Sequence, residues 1–226
     1  MHMSTRSPLD KRILFSIFVP PLSFAPIGML LLLLDVNVSI IRDGWYLSIF
    51  ISCILMVMRE KTPLSQIGLT KQKLGLSLLL SGIWEITTYT LLGILPFLLV
   101  TGKMPTLVQL NGTMVTSAFH FMLVGLAEET WMRGLLLKRL REWRSEGPAL
   151  IMWSSIIFIL LHLPASSLMI IQDVSLLPLL LLSWSTLFVW SAGLAVIALK
   201  TGNLFGPIII HSLDDFVSKG LYPLQI

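Results

Sequence analysis

Between Ile13 and Leu34 the chain carries no charged residue, and predominantly apolar stretches recur at roughly 45–58, 74–100, 113–137, 149–163, 176–199 and 204–218. A helix rises about 1.5 Å per residue, so about 20 apolar residues cover the roughly 30 Å hydrocarbon core of a bilayer. Hydrophobic residues make up 55% of the chain and charged residues 12%, where a soluble domain carries roughly a quarter charged residues. The fold class is therefore all-α: a polytopic membrane helix bundle of about seven transmembrane helices, with room for an eighth, shorter one.

The first stretch follows Arg6, Lys11 and Arg12, as the apolar core of a signal peptide would, but it is too long for one and lacks a small-residue cleavage site. It reads as an uncleaved first span, kinked by Pro20, Pro21 and Pro26. The second stretch is the shortest on this reading. The single cysteine, Cys53, lies inside it and can form no internal disulfide.

Of the 16 Lys and Arg residues, twelve fall on one set of alternating ends: Arg6, Lys11, Arg12, Arg59, Lys61, Lys71, Lys73, Lys138, Arg139, Arg141, Arg144 and Lys200. Arg42, Lys103 and Lys219 fall on the other, and Arg133 lies within a span. This partition is the signature of membrane orientation, so the amino terminus and the loops 59–73, 138–148 and 200–203 are expected at the cytoplasmic face of a multi-pass cell-membrane protein. The basicity needs no nucleic-acid partner, since no tract combines dense Lys/Arg with interleaved aromatics. Residues 1–226 read as a single integral membrane domain without linker or internal repeat. Thr62–Lys73 reads as a segment lying along the interface.

Five acids lie within the apolar stretches: Glu85, Glu128, Glu129, Asp214 and Asp215. An ionised side chain at the centre of a spanning helix costs roughly 2.5–3.5 kcal/mol even on the mildest scale, which makes such residues functional candidates by default. Counted from the basic end near Leu137, Glu128 is about 14 Å deep. His162, on the returning helix after the turn at Arg144–Pro148, reaches a similar height. His211 and Asp215, on the last helix, lie about 12–18 Å in from the same face. Glu129 with Arg133, and His211 with Asp215, are i, i+4 pairs sharing a face, whereas Glu128 is turned about 100° from Glu129. One glutamate is thus expected to face a cavity and the other to be held by the arginine. Glu85 reads as a structural hydrogen-bonding partner to another helix, and Asp214 as a possible substitute for Asp215.

Glu128-Glu129-x-x-x-Arg133-Gly134, Phe158-x-x-x-His162 and His211-x-x-x-Asp215 together resemble the three-motif pattern of the CPBP family of intramembrane proteases. That family includes the type II CAAX prenyl endopeptidases and the Abi bacteriocin-immunity proteins. The resemblance covers about residues 113–218, within which it puts the catalytic core, and "TGNLFGPIIIHSLDDF" resembles the family's third-motif context. Many members carry Asn where this chain has Asp215. An amide can donate to an oxyanion and an ionised carboxylate cannot.

What the resemblance implies is an endopeptidase acting on a membrane-associated peptide or protein substrate, near its carboxy terminus. Glu128 is the candidate base, kept ionised by Arg133; His162 orients the water; His211, its tautomer fixed by Asp215, stabilises the oxyanion or donates the proton. A metal-dependent form stays open, with zinc held by Glu128, His162, His211 and Asp215. So do a non-catalytic peptide-binding or immunity protein and an ion- or proton-coupled transporter; oligomeric state is left unspecified. The same charge partition leads to a cavity opening at the basic face, with substrate arriving from there or laterally from lipid.

Overall fold

The computed structural model of the protein describes residues 11–102, 112–143, 147–172 and 177–217. The basic residues Arg6, Lys103, Arg144 and Lys219, and the last position of the seventh stretch, lie outside the described residues. Among those described there are seven helical rods and no strand. The protein is an all-α membrane helix bundle, and its lipid-facing surface is rich in exposed side chains such as Leu33, Ile86 and Leu99.

The first rod is broken into α1 (Lys11–Leu22) and α2 (Ala25–Leu33). Pro20 and Pro21 close α1, and Pro26 starts α2, where its missing N–H would have no partner in any case. The second rod, α3 (Val38–Arg59), is seven residues longer at its start than the expected 45–58. Its first turn is capped by the Asn37 side chain, which accepts from the Ser39 N–H at 2.8 Å. Arg42-Asp43-Gly44 reads as loop in an apolar scan, but it lies within α3, where Asp43 is bonded to His120 of another helix and Arg42 stays exposed. The third rod runs through α4 (Leu74–Thr88), a π-helical segment at Tyr89–Ile94 and α5 (Leu95–Thr101). The fourth runs through α6 (Gly112–Glu129), a second π segment at Thr130–Leu136 and α7 (Leu137–Glu142). Then follow α8 (Gly147–Gln172), α9 (Leu177–Thr201) and α10 (Phe205–Asp215).

Lys11–Leu33, Val38–Arg59, Leu74–Ile94 and Leu180–Thr201 are each long and apolar enough to cross a membrane on their own. α10, of 11 residues, and α6, which carries His120, Glu128 and Glu129, are not among these spans. They are packed against each other in the interior, where a Cβ on Gly125 would stand 2.3 Å from Ser212 Oγ and 2.8 Å from the Ile208 carbonyl oxygen.

The basic ends of the rods are sealed. Asn203, fully buried, donates from its side-chain amide to the carbonyls of Thr70 and Gln72, and its own carbonyl accepts from Ser77 Oγ at 3.0 Å. The Leu204 N–H donates to the Gly68 carbonyl at 2.9 Å. Gly68 needs its φ of +84° for this turn, and a side chain there would strike Leu204. The segment expected along the interface is tied to the bundle by these bonds, with Ile67 of a short 3-10 turn (Leu64–Ile67) buried against Gly134 while Pro63 to Gln66 and Lys71 to Lys73 are exposed. Arg139, also buried, is paired with Glu60 and Glu142. Burial pushes the Glu142 carboxyl up, but its bonds from Lys138 and Arg139 outweigh that and hold it below the usual carboxylate range.

The closest helix contact here tests the seal. A Cβ on Gly206 would lie 2.4 Å from both oxygens of Ser77, whereas Gly75, two residues before Ser77 on α4, has nothing within 4 Å. Gly206→Ala should cost about 1–3 kcal/mol through forced backbone shifts. Gly75→Ala should be neutral or slightly stabilising. Thermal unfolding of both variants in the same detergent checks the contrast.

Candidate active site

The second π segment follows Glu129 directly. Single widened turns of this kind occur mostly at functional sites, because they redirect the side chains around them. Here the two neighbouring glutamates part company. Glu129 is fully buried between α9 and α10, while Glu128 lines a cavity of about 920 Å³.

Glu129 engages both its partners through one oxygen. Arg133 Nη1 donates to Oε1 at 2.9 Å, and His211 Nδ1 donates to the same oxygen at 2.8 Å. The guanidinium is fixed further by Ser191, whose hydroxyl accepts from Nη2 at 2.9 Å, and by Phe158, whose ring it covers at 4.5 Å. Four helical rods therefore meet at this one buried charge pair.

His211 is set edge-on against the Trp190 ring at 4.8 Å. With its Nδ1–H given to Glu129, its Nε2 faces the cavity, 3.9 Å from Glu128 Oε2 and 3.7 Å from Asp215 Oδ2. His162 is anchored the same way. Its Nδ1 donates to the Phe158 carbonyl at 2.8 Å, and its Nε2 lies 3.9 Å from Glu128 Oε2. A carbonyl oxygen only accepts, so in the neutral ring of His162 Nε2 carries the lone pair. Glu128 is thus equidistant from two imidazole nitrogens delivered by α8 and α10.

The six residues singled out in the sequence are brought together here, and one pairing differs from expectation. Arg133 is bonded to Glu129, the glutamate with which it shares an i, i+4 face, and that face is the buried one. His211 takes its tautomer from Glu129 and not from Asp215, because α6 and α10 approach closely enough at Gly125 for a side chain of another helix to reach Nδ1 first. Asp214 lines the cavity as Asp215 does, but it hydrogen-bonds with Glu85. Glu85 also accepts from Trp190 Nε1 at 2.9 Å, the bond to another helix expected of it. His120, in the cavity wall, lies 2.5 Å from Asp43 and edge-on to Tyr46. Ser191, Trp190 and Gly125 carried no recognisable signal, since each is an ordinary residue of an apolar helix until its neighbour is known.

The donor set suits a metal in kind, with two Nε2 atoms and two carboxylates, yet the spacing is wide. Ligands of a tetrahedral zinc with bonds of about 2.1 Å stand about 3.4 Å apart, against 3.9 Å here. Among the described residues no group of three or more His, Cys, Asp and Glu side chains closes to metal-binding separations.

The cavity lies on the far side of the site from the basic loops. On α3 it is lined by Arg42 and Tyr46; on α6 by His120, Phe121, Val124 and Glu128; on α9 by residues between Leu180 and Trp190. On the third rod it takes residues from Glu85 to Gly93. In each rod the half that ends at Arg59, Lys71 and Lys73, Lys138 to Arg141, or Lys200 contributes none. Among the described residues the basic end, where an opening is expected, is filled at Gly68, Asn203 and Arg139 by backbone hydrogen bonds and paired side chains.

Compared with known proteins, residues 110–217 match the family model described as Type II CAAX prenyl endopeptidase Rce1-like. No curated protein and no solved structure matches the chain.

Removing one partner of a buried ion pair leaves the other charge uncompensated, at about 3–5 kcal/mol. Arg133→Met should therefore destabilise the bundle by that order, and adding Glu129→Gln to it should restore a large part. Unfolding of the single and double variants in mixed micelles measures both; equal stability of wild type and Arg133→Met would show that Glu129 is held some other way.

Proposed function

We propose that this chain, whose residues 110–217 match the Rce1-like family of type II CAAX prenyl endopeptidases, is an intramembrane endopeptidase of that kind using a water activated by Glu128. Its substrate is a membrane-associated peptide or protein, cut near the carboxy terminus as the resemblance implies. It sits as a multi-pass protein in the cell membrane with its basic end toward the cytoplasm. The observation that carries the reading is the 3.9 Å separation of Glu128 Oε2 from both His162 Nε2 and His211 Nε2, at the floor of a cavity large enough for a peptide segment.

A water between these three groups gives its proton to Glu128 as its oxygen attacks the scissile carbonyl carbon. His162 accepts from that water through Nε2 and orients it. His211, as the imidazolium, donates from Nε2 to the oxyanion of the tetrahedral adduct. When the adduct collapses and the C–N bond breaks, the proton held by Glu128 passes to the leaving amine. Asp215, 3.7 Å from the same Nε2, orients the charged ring, and Glu129 with Arg133 fixes the ring from behind. These last are positioning groups, since neither touches the cavity.

A metal-dependent form is the second reading. It is favoured by both imidazoles giving their Nδ1–H to protein oxygens, the arrangement usual for metal-ligating histidines. A zinc held by His162, His211 and Glu128 would supply a Lewis acid and an activated water; Asp215 is the remaining carboxylate in reach.

Glu128→Gln should lower turnover by about 10²–10⁴-fold, the usual worth of a general base, with the unfolding transition unchanged. Cleavage of a peptide library, read by mass spectrometry on purified protein, provides the measurement. Undiminished cleavage by the variant would overturn the assignment, and a binding protein without chemistry would yield no cut sites from either form. Exhaustive chelation should leave activity intact if water is activated by Glu128 alone, and abolish it, with recovery on adding zinc, if the second reading holds.

A further inference from the structure

The family match begins at residue 110, yet the cavity wall includes α3, which lies wholly before it. α3 and the fourth rod run in the same direction and are tied twice, by Asp43 to His120 near their start and by Glu60 to Arg139 at their basic ends. The two ties are almost equally far apart along both rods, so the register between them is fixed. Tyr46 comes three residues after the first tie and Glu128 eight, so Tyr46 stands about five residues, roughly 7.5 Å, short of Glu128 along the shared axis. A water and a peptide carbonyl in line fill such an interval.

The Tyr46 ring is set edge-on to His120, with centroids 5.7 Å apart, and against Trp45 at 5.0 Å. Trp45 is itself fixed, donating from Nε1 to the Pro21 carbonyl at 2.7 Å. The Tyr46 hydroxyl, by contrast, has no hydrogen-bond partner among the described residues. The charges of Glu128 and Asp215 act on it more strongly than those of Arg42 and Asp43 on its own helix, so it points inward along the cavity. Donors are scarce around Glu128. Ionised Glu128 and Asp215 only accept, and His162 Nε2 carries a lone pair, which leaves His211 Nε2. Trp190 Nε1 is spent on Glu85, and the Thr88 hydroxyl on the Trp84 carbonyl.

We propose that Tyr46 is a further catalytic residue, its O–H donating to the scissile carbonyl oxygen beside His211 Nε2; this rests on the hydrolytic reading of the site. As the water oxygen bonds to the carbonyl carbon and the C=O electron pair moves onto oxygen, the phenol keeps its proton and the new charge is shared between two donors. The proton taken by Glu128 still passes to the leaving amine. Asp215 cannot supply the second donor, as an amide in its place would.

Tyr46→Phe keeps the ring against His120 and Trp45 and removes only the O–H. With the library peptide that wild type cleaves fastest, kcat should fall about 10²-fold, the usual worth of one oxyanion donor. KM should stay within about twofold, and the unfolding transition should not move. A phosphinate analogue of that peptide, which carries the tetrahedral anion, should inhibit the variant about 10²-fold more weakly than wild type; a packing role would not single out the tetrahedral form. Should Tyr46→Phe unfold, difluorotyrosine at position 46 decides, because its more acidic phenol should bring the alkaline limb of kcat to lower pH, and an unchanged profile overturns the assignment. Thr186 of α9 carries the rival hydroxyl in the cavity wall. Unchanged kcat in Tyr46→Phe, a rise in KM equal to the loss of phosphinate affinity, or loss of kcat in Thr186→Val in its place, overturns the proposal and leaves the chemistry of Glu128 standing. A wild type that cuts no peptide removes the hydrolytic reading itself, and the role of Tyr46 with it.

Discussion

A carboxylate with no solvent exposure, inside a membrane bundle, has to be met by charge from its own protein or it will not be retained. Glu129 is met twice on a single oxygen, by the guanidinium of Arg133 and by the Nδ1–H of His211. Everything else about the site follows from that contact. Arg133 reaches it only because the π segment after Glu129 keeps the two on one face while α9 supplies Ser191 beneath the guanidinium. His211 reaches it only because Gly125 has no side chain to hold α10 away. Once Nδ1 is committed, Nε2 can point nowhere but into the cavity, toward Glu128. The pair that never reaches the cavity thus sets the orientation of the imidazole that does.

The residues of the site were legible because membrane solvent makes charge conspicuous. Acids, arginine and histidines in stretches that should be apolar mark themselves, and helix rise converts their positions into depth. Depth alone brought Glu128, His162 and His211 to one layer. It could not say who pairs with whom, since i, i+4 spacing offers His211 a carboxylate on its own helix and gives no hint of a closer one on α6. Pairing is decided by the distance of approach between helices, and that is written in glycines and serines which look like filler in an apolar run. The early start of α3 was hidden for the opposite reason. Arg42-Asp43 breaks a hydropathy window, yet the bundle interior at that level is polar, with His120 waiting for Asp43.

The packing of the basic end was the least legible property. A count of lysines and arginines marks that end but says nothing about whether it is packed shut. That depends on connecting segments, 60–73 and 201–204, whose few residues spend their backbone groups on one another. Gly68, Asn203 and Ser77 form a closed set in which each buried carbonyl or amide has a partner. In composition such a loop is indistinguishable from one that lies loosely over the surface.

A sealed basic end also makes physical sense of the acids in the wall. Water must reach Glu128 for hydrolysis of any kind, and a hydrated cleft open at both ends would be a leak across the membrane. One end therefore has to be closed. Closing the basic end packs neutral backbone and the paired Arg139 against each other, and the lysines can remain at the surface where the orientation signal needs them. At the other end Arg42 is exposed and Asp43 partly so, and burying them would have added to the charges already buried at Glu129 and Arg133. The cost of burying ions thus accounts both for where the described residues pack the bundle shut and for the polarity of the cavity wall.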